Sequence, residues 1–425
     1  MPSSNGKKNK PRSIFQIQSS NFALSLSLIS LFIILNDFLN WPILQFAKVV
    51  SQTKFRDTLW VLQDADCYQE IGSEIFNLQV ITGCPAYIYG EPLLKILNLL
   101  HIGPEDTQNF VYGMRILFSL ALAFLLSELF LNFKKTLLAV TLILLSPGVQ
   151  LMLYNGNIDL LILSMIIGSY FAFKYNKSII GFFLIALVGM FKFYTIPIFA
   201  IALLIPIKKR DKLIALILFL ITAMSAFSDL QKMKESIPST GYAQFGMIIF
   251  PKYLSEIGFE ISPIQGLSIS VMLFLITSLL CYRIMKFFAN SLLAVDYKVQ
   301  LTYLLLGVVF LTCFFTGLSY DSRLIYLTLC GIILLHWIPL KKYRNITLGI
   351  LVGASIFSCG IELGLIPTSH QGYHPLRLVQ LANDIAIEIM ASLILLYLFK
   401  LPLVSQTIAQ LKFTKRNSLE SHNEY

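Results

Sequence analysis

Apolar runs long enough to cross a bilayer recur from Phe22 to Lys400, and they constrain this chain more than any motif in it. A helix crossing the hydrocarbon core needs about 20 apolar residues, with a workable range of roughly 17 to 25. Many of the runs fall in that range. Charged residues make up 13% of the 425 residues and hydrophobic ones 56%, with a mean hydropathy of +0.72. A soluble domain carries about 25% charged residues. The pattern specifies an all-α polytopic membrane protein. It also removes a nucleic-acid role from the +10 net charge, because the basic residues sit at the ends of the runs.

Charge placement sets the expected topology. Residues 1–21 form a basic, cytoplasmic N-terminus with Lys7, Lys8, Lys10 and Arg12, and no cleavable leader follows. A single transmembrane domain covers 22–400, and 401–425 is a polar cytoplasmic tail. After a first span near 22–43, further spans fall near 110–131, 136–153, 158–173, 211–229, 264–284, 299–318, 324–340, 346–366 and 378–400. The stretch 178–207 is too long for one upright span and carries Lys192 and Pro197 at its middle. Reading it as a short broken hairpin keeps Lys208-Lys209-Arg210 on the cytoplasmic side. It does the same for the basic loops 134–135, 174–177 and 341–344, as the positive-inside rule requires. The expected architecture is therefore about 12 apolar segments, two of them forming the hairpin, with long external loops at about 45–109 and 230–263.

The first external loop is acidic and aromatic, and it holds Cys67 and Cys84. These two either form a disulfide, where that side is oxidising, or stay as thiols. Ionisable groups within the spans cluster at the outer depth: Asp37, Asp159, Asp229, Asp321, Glu362, Asp384 and Glu388, joined by Arg115, Lys192, Arg323 and Arg377. Buried charges normally face a partner or a wet cavity. Carboxylates and fixed cations at one depth imply a chamber, open to the outer surface, that suits an anionic phosphate and a reacting hydroxyl. His370 and His374 lie four apart, but Gly372 and Pro375 break a helix there, so they make a poor metal pair.

Several segments together resemble a known group. Asn155-Gly-Asn-Ile-Asp159 precedes an apolar span, followed by Gly181-Phe-Phe-Leu-Ile-Ala-Leu-Val-Gly189 and Lys192-Phe-Tyr-Thr-Ile-Pro197. Asp64-Ala-Asp66-Cys67-Tyr68 lies in the first external loop, and Gly317-Leu-Ser-Tyr-Asp321-Ser-Arg323 in a later one. This order resembles the C-type (GT-C) integral-membrane glycosyltransferases, such as bacterial polyprenol-phosphate-sugar-dependent mannosyl- and arabinofuranosyltransferases. Pro197 is displaced relative to their Lys-x-x-Pro break, with Thr195 in its place. The resemblance implies transfer of a sugar, a hexose such as mannose, from a polyprenyl-phosphate donor to a hydroxyl on a lipid or glycan acceptor. It places the protein in a bacterial plasma membrane, among membrane lipids.

By the same resemblance, Asp66 is the expected general base, with Asp64 second. Lys192 and Arg323 are the expected phosphate contacts, with Asp321, Asn157, Asp159 and Tyr89 around the sugar. Tyr89 would offer a stacking platform there. No cofactor is required, although Asp64 and Asp66 could together hold a divalent cation. The rival reading is a transporter or flippase for a lipid-linked or other anionic substrate. Such a protein would need polar groups in the inner half as well, where Glu128 stands almost alone.

Overall fold

The computed structural model describes residues 14–38, 54–72, 75, 84, 89–130, 132–233, 244–245, 260–285, 296–316, 319–320, 323–338, 340–356, 375–402 and 404. Asp321, His370, His374 and both chain ends lie outside these residues. The described chain is helical apart from one antiparallel pair of two-residue strands, Gln244–Phe245 with Ser319–Tyr320.

Helix α1 (Ile14–Phe38) leads to two helices inside the first long loop, α2 (Arg56–Ile71) and α3 (Glu91–Leu99). There follow α4 (Thr107–Leu129), α5 (Phe133–Leu145), α6 (Pro147–Asn155), α7 (Asp159–Lys174) and α8 (Ser178–Phe191). A 3-10 segment, Phe193–Ala200, comes next, then α9 (Lys209–Met233), α10 (Pro263–Met285) and α11 (Tyr297–Phe315). The last three are α12 (Leu324–Trp337), α13 (Lys341–Ile356) and α14 (Pro375–Lys400). Among the described residues, six helices are long and apolar enough to cross a membrane, or seven if the bent pair α5–α6 counts as one span. This is a multi-pass membrane protein.

Two departures from the expected spans have local causes. The run near 136–153 is not straight: α5 and α6 meet at 63°. Pro147 opens α6 after Ser146; proline lacks the N–H that a continuous helix would use, and suits the first turn of a new one. The first external loop is also more ordered than an acidic loop suggests, because α2 buries Val61, Leu62 and Ala65 on one face.

The reading of 178–207 as a hairpin agrees with the geometry. Phe182 and Phe199 have ring centroids only 6.2 Å apart. The nine residues from Phe182 to Phe191 alone rise about 13 Å in an α-helix, so the chain doubles back at Lys192. Thr195 Oγ1 donates to the Lys192 carbonyl at 2.9 Å and tightens that reversal.

Burial separates an inner set of helices from an outer one. Helix α12 is buried along its length except at His336. By contrast, α9 exposes Leu213, Leu216, Ile217, Leu220, Ile221, Met224 and Phe227, a surface suited to lipid rather than water. The two ends of the bundle also differ. At one end Lys174 pairs with Glu128 at 2.7 Å, Lys298 lies 3.8 Å from Glu128, and Lys135 Nζ is 2.8 Å from His336 Nδ1. The other end carries α2, α3 and the polar groups described next.

Candidate active site

Four distant stretches of chain meet beside the first turn of α2. Phe55, in the left-handed region at φ 63°, donates its N–H to the Tyr154 carbonyl at 3.2 Å, and Thr58 Oγ1 donates to the Gly156 carbonyl. These contacts lay α2 across the Asn155-Gly156-Asn157 turn. Gly156 has φ 62°, and a Cβ there would come 2.5 Å from Val111 Cγ2, so the turn needs glycine for both conformation and space. Asn157 bridges outward and inward. Its Nδ2 donates to Asp57 Oδ2 at 2.7 Å, while its Oδ1 accepts the Asp159 N–H at 2.9 Å and caps α7.

Asp159, 1% exposed, opens α7, where the helix dipole favours a negative charge. Tyr194 donates its hydroxyl to Asp159 Oδ1 at 2.7 Å, and Arg323 Nε lies 3.5 Å from Oδ2. The Arg323 guanidinium also sits 4.5 Å above the Tyr194 ring. Lys192, 5% exposed at the hairpin apex, completes the group. Its ammonium lies 3.7 Å from the centre of the Tyr89 ring. Among the described residues Lys192 has no carboxylate in ion-pair contact; Asp159 and Asp57 act on it only through space.

The structure thus brings together five of the residues expected from sequence: Asn157, Asp159, Lys192, Arg323 and Tyr89. Asp321 lies outside the described residues. Tyr89 differs in detail from the expected sugar platform, because one face of its ring is already covered by Lys192.

Asp64 and Asp66 do not join this group. Both sit farther along α2, and Asp66 is nine positions from Asp57, about 13 Å along a helix. Asp66 is exposed beside Glu70 and Glu105. Asp64 is 2% exposed, its Oδ1 has no hydrogen-bond partner, and burial pushes its carboxyl up to about 8. Residues two apart on a helix do not face each other, so this pair does not converge on a cation. Among the described residues no three His, Cys, Asp or Glu side chains group as metal ligands.

Sequence reasoning missed Asp57. It is held by Asn157 and lies in the field of Arg56 and Lys192; burial nonetheless raises its carboxyl above the ordinary range, with Asp159 adding to the rise. The available signal was its place in the first turn of α2, two positions after the aromatic Phe55 that anchors it.

The loop reaches the hairpin through a second attachment. Cys67 and Cys84 form a disulfide, which ties the end of α2 to the segment leading to Tyr89. Arg115, expected in the chamber, is instead bound by Asp37 at 2.9 and 3.1 Å and by the Leu153 carbonyl. No protein-family model, curated protein or solved structure matches this chain.

Proposed function

We propose that this protein is a membrane glycosyltransferase with a GT-C-like bundle. In this reading it moves a sugar, a hexose such as mannose, from a polyprenyl-phosphate donor to an acceptor hydroxyl at the outer face of a bacterial plasma membrane. The observation carrying the reading is the meeting of one part-exposed carboxylate, Asp57, with two cations, the buried Lys192 and the largely covered Arg323, at the loop-bearing end of the bundle. Asp159 is set against Arg323 at 3.5 Å, whereas Lys192 has no carboxylate in contact among the described residues, so its ammonium can meet a phosphodiester directly.

The base is Asp57 rather than Asp66. Its carboxylate takes the proton of the acceptor hydroxyl as that oxygen bonds to the anomeric carbon. The anomeric carbon's bond to the phosphate oxygen breaks in the same step, and the electron pair leaves with polyprenyl phosphate. Lys192 and Arg323 stabilise the charge gathering on that phosphate. One displacement inverts the anomeric centre and needs no covalent intermediate. Asn157 orients Asp57, and Asp159 with Tyr194 holds the Arg323 guanidinium in place.

The test is transfer of labelled sugar from a panel of polyprenyl-phosphate sugars, in membranes with matched protein levels. Asp57→Asn should lower transfer by about 10²–10⁴-fold, and Asp66→Asn should change it by less than about threefold. Activity retained in Asp57→Asn would remove Asp57 as the base. Absence of transfer from every donor, combined with protein-dependent movement of the lipid-linked sugar across the bilayer, would establish the carrier reading instead.

A further inference from the structure

Lys192 poses a physical question that the proposed chemistry leaves open. An ammonium buried to 5% exposure is costly unless something stabilises its charge. A carboxylate in contact would do so, but it would also neutralise the lysine and compete with an incoming phosphate. The contact observed is an aromatic face, with Nζ 3.7 Å from the Tyr89 ring centre. A ring stabilises a cation through its quadrupole without cancelling the charge. It covers one side of the ammonium and leaves N–H donors for an acceptor on another.

The backbone around Tyr89 is built to hold the ring there. Gly90 donates its N–H to the Phe191 carbonyl at 3.1 Å, directly before Lys192. A Cβ on Gly90 would fall 1.7 Å from the Met190 carbonyl oxygen, so only glycine permits this approach. Glu91 N–H is accepted by Asp229 Oδ2 at 3.0 Å, and the Glu91 carboxylate accepts the Tyr68 hydroxyl at 2.5 Å. On the other side of Tyr89, the Cys67–Cys84 disulfide fixes the incoming chain to α2. Attachments therefore flank Tyr89 on both sides, tying it to the hairpin apex, to α9 and to α2.

We infer that Tyr89 is a positioning residue: its ring, clipped to the hairpin apex through Gly90, holds the Lys192 ammonium charged and unneutralised for an anionic phosphate ester. This inference rests on the proposed glycosyltransferase reading for the identity of the phosphate, and on the geometry for the contact.

Two measurements on the purified full-length protein test it. The first is binding of polyprenyl monophosphate, with donor kinetics beside it. Tyr89→Phe should stay within about twofold of wild type, whereas Tyr89→Leu should raise the Kd and the donor KM about tenfold with a smaller change in kcat. Wild-type binding in Tyr89→Leu, or equal damage from Phe and Leu, would overturn the positioning role. The second is a double-mutant cycle on thermal unfolding with Tyr89→Leu and Lys192→Met, which needs no substrate. The combined loss should be smaller than the two single losses added together, and additive losses would overturn the contact itself. If wild type binds no polyprenyl phosphate, the glycosyltransferase reading falls and takes the phosphate-positioning role with it. If wild type binds and Lys192→Met does not, while Tyr89→Leu binds normally, only the role of Tyr89 falls.

Discussion

Arg115 and Lys192 are both buried cations at the same end of the bundle, 2% and 5% exposed, yet their surroundings differ completely. Arg115 makes four hydrogen bonds. Asp37 takes two of its hydrogen bonds, the Leu153 carbonyl takes two more, and the Phe55 ring lies 4.8 Å away. Its donors join α1, α4 and the end of α6. Lys192 meets a ring and, among the described residues, no counter-ion in contact. The contrast separates two uses of a buried charge. One is consumed in holding helices together, and the other is held charged with its donors still available.

Removing each cation should give opposite phenotypes. Arg115→Met leaves Asp37, among the described residues, with the part-exposed Lys54 at 2.8 Å, and breaking a buried pair costs about 3–5 kcal/mol. The expected result is a large fall in Tm and in folded yield, measured in detergent. Lys192→Met removes a desolvated charge with no ion pair to lose, so its Tm should stay within a few degrees of wild type while donor binding is lost. A collapse of folding in Lys192→Met, with Arg115→Met stable, would reverse the comparison.

A pH-dependent effect belongs to Asp64, whose folded carboxyl lies near 8 against an ordinary value of 3.8. The folded state therefore holds a proton that the unfolded chain releases. Stability is greatest below about pH 4 and declines as pH rises towards 8, by at most ~1.4 kcal/mol per pH unit for this one group. Asp64→Asn should flatten the slope of Tm against pH over that window, and an unchanged slope would show that Asp64 is not its source. Smallest of all, Asn157→Ala removes the α7 cap and the Asp57 tether, for about 0.5–2 kcal/mol of stability. Transfer should fall further than that loss alone would explain, and proportionate losses would show that Asn157 only caps.

Sequence made some of this legible and hid the rest for physical reasons. Hydropathy revealed the multi-pass membrane character, because burying apolar side chains in lipid requires long runs, but not the number of spans: about 12 segments were expected, and six or seven of the described helices can cross. The reversal at Lys192 was readable because a lysine and a proline inside an apolar stretch, followed by a basic cluster, fit only one charge distribution. The bend at Pro147 was masked because Ser146-Pro147-Gly148 scarcely lowers the hydropathy of the run around it. Asp57 was hidden more deeply. What marks it is a hydrogen bond to Asn157, 100 positions away, and no local pattern encodes a contact of that range. Asp64-Ala-Asp66 looked stronger because two acids close in sequence attract notice, although on a helix they diverge.

The dispersion of the site along the chain bears on how it comes into being. Asp57, Asp159, Lys192 and Arg323 leave the ribosome in that order, and Arg323 emerges long after the hairpin. Until then Asp159 lacks the guanidinium that lies 3.5 Å from it in the finished protein, and a buried carboxylate without a cation is expensive in a membrane. Any truncation before α12 therefore leaves Asp159 without the guanidinium that the finished protein sets beside it.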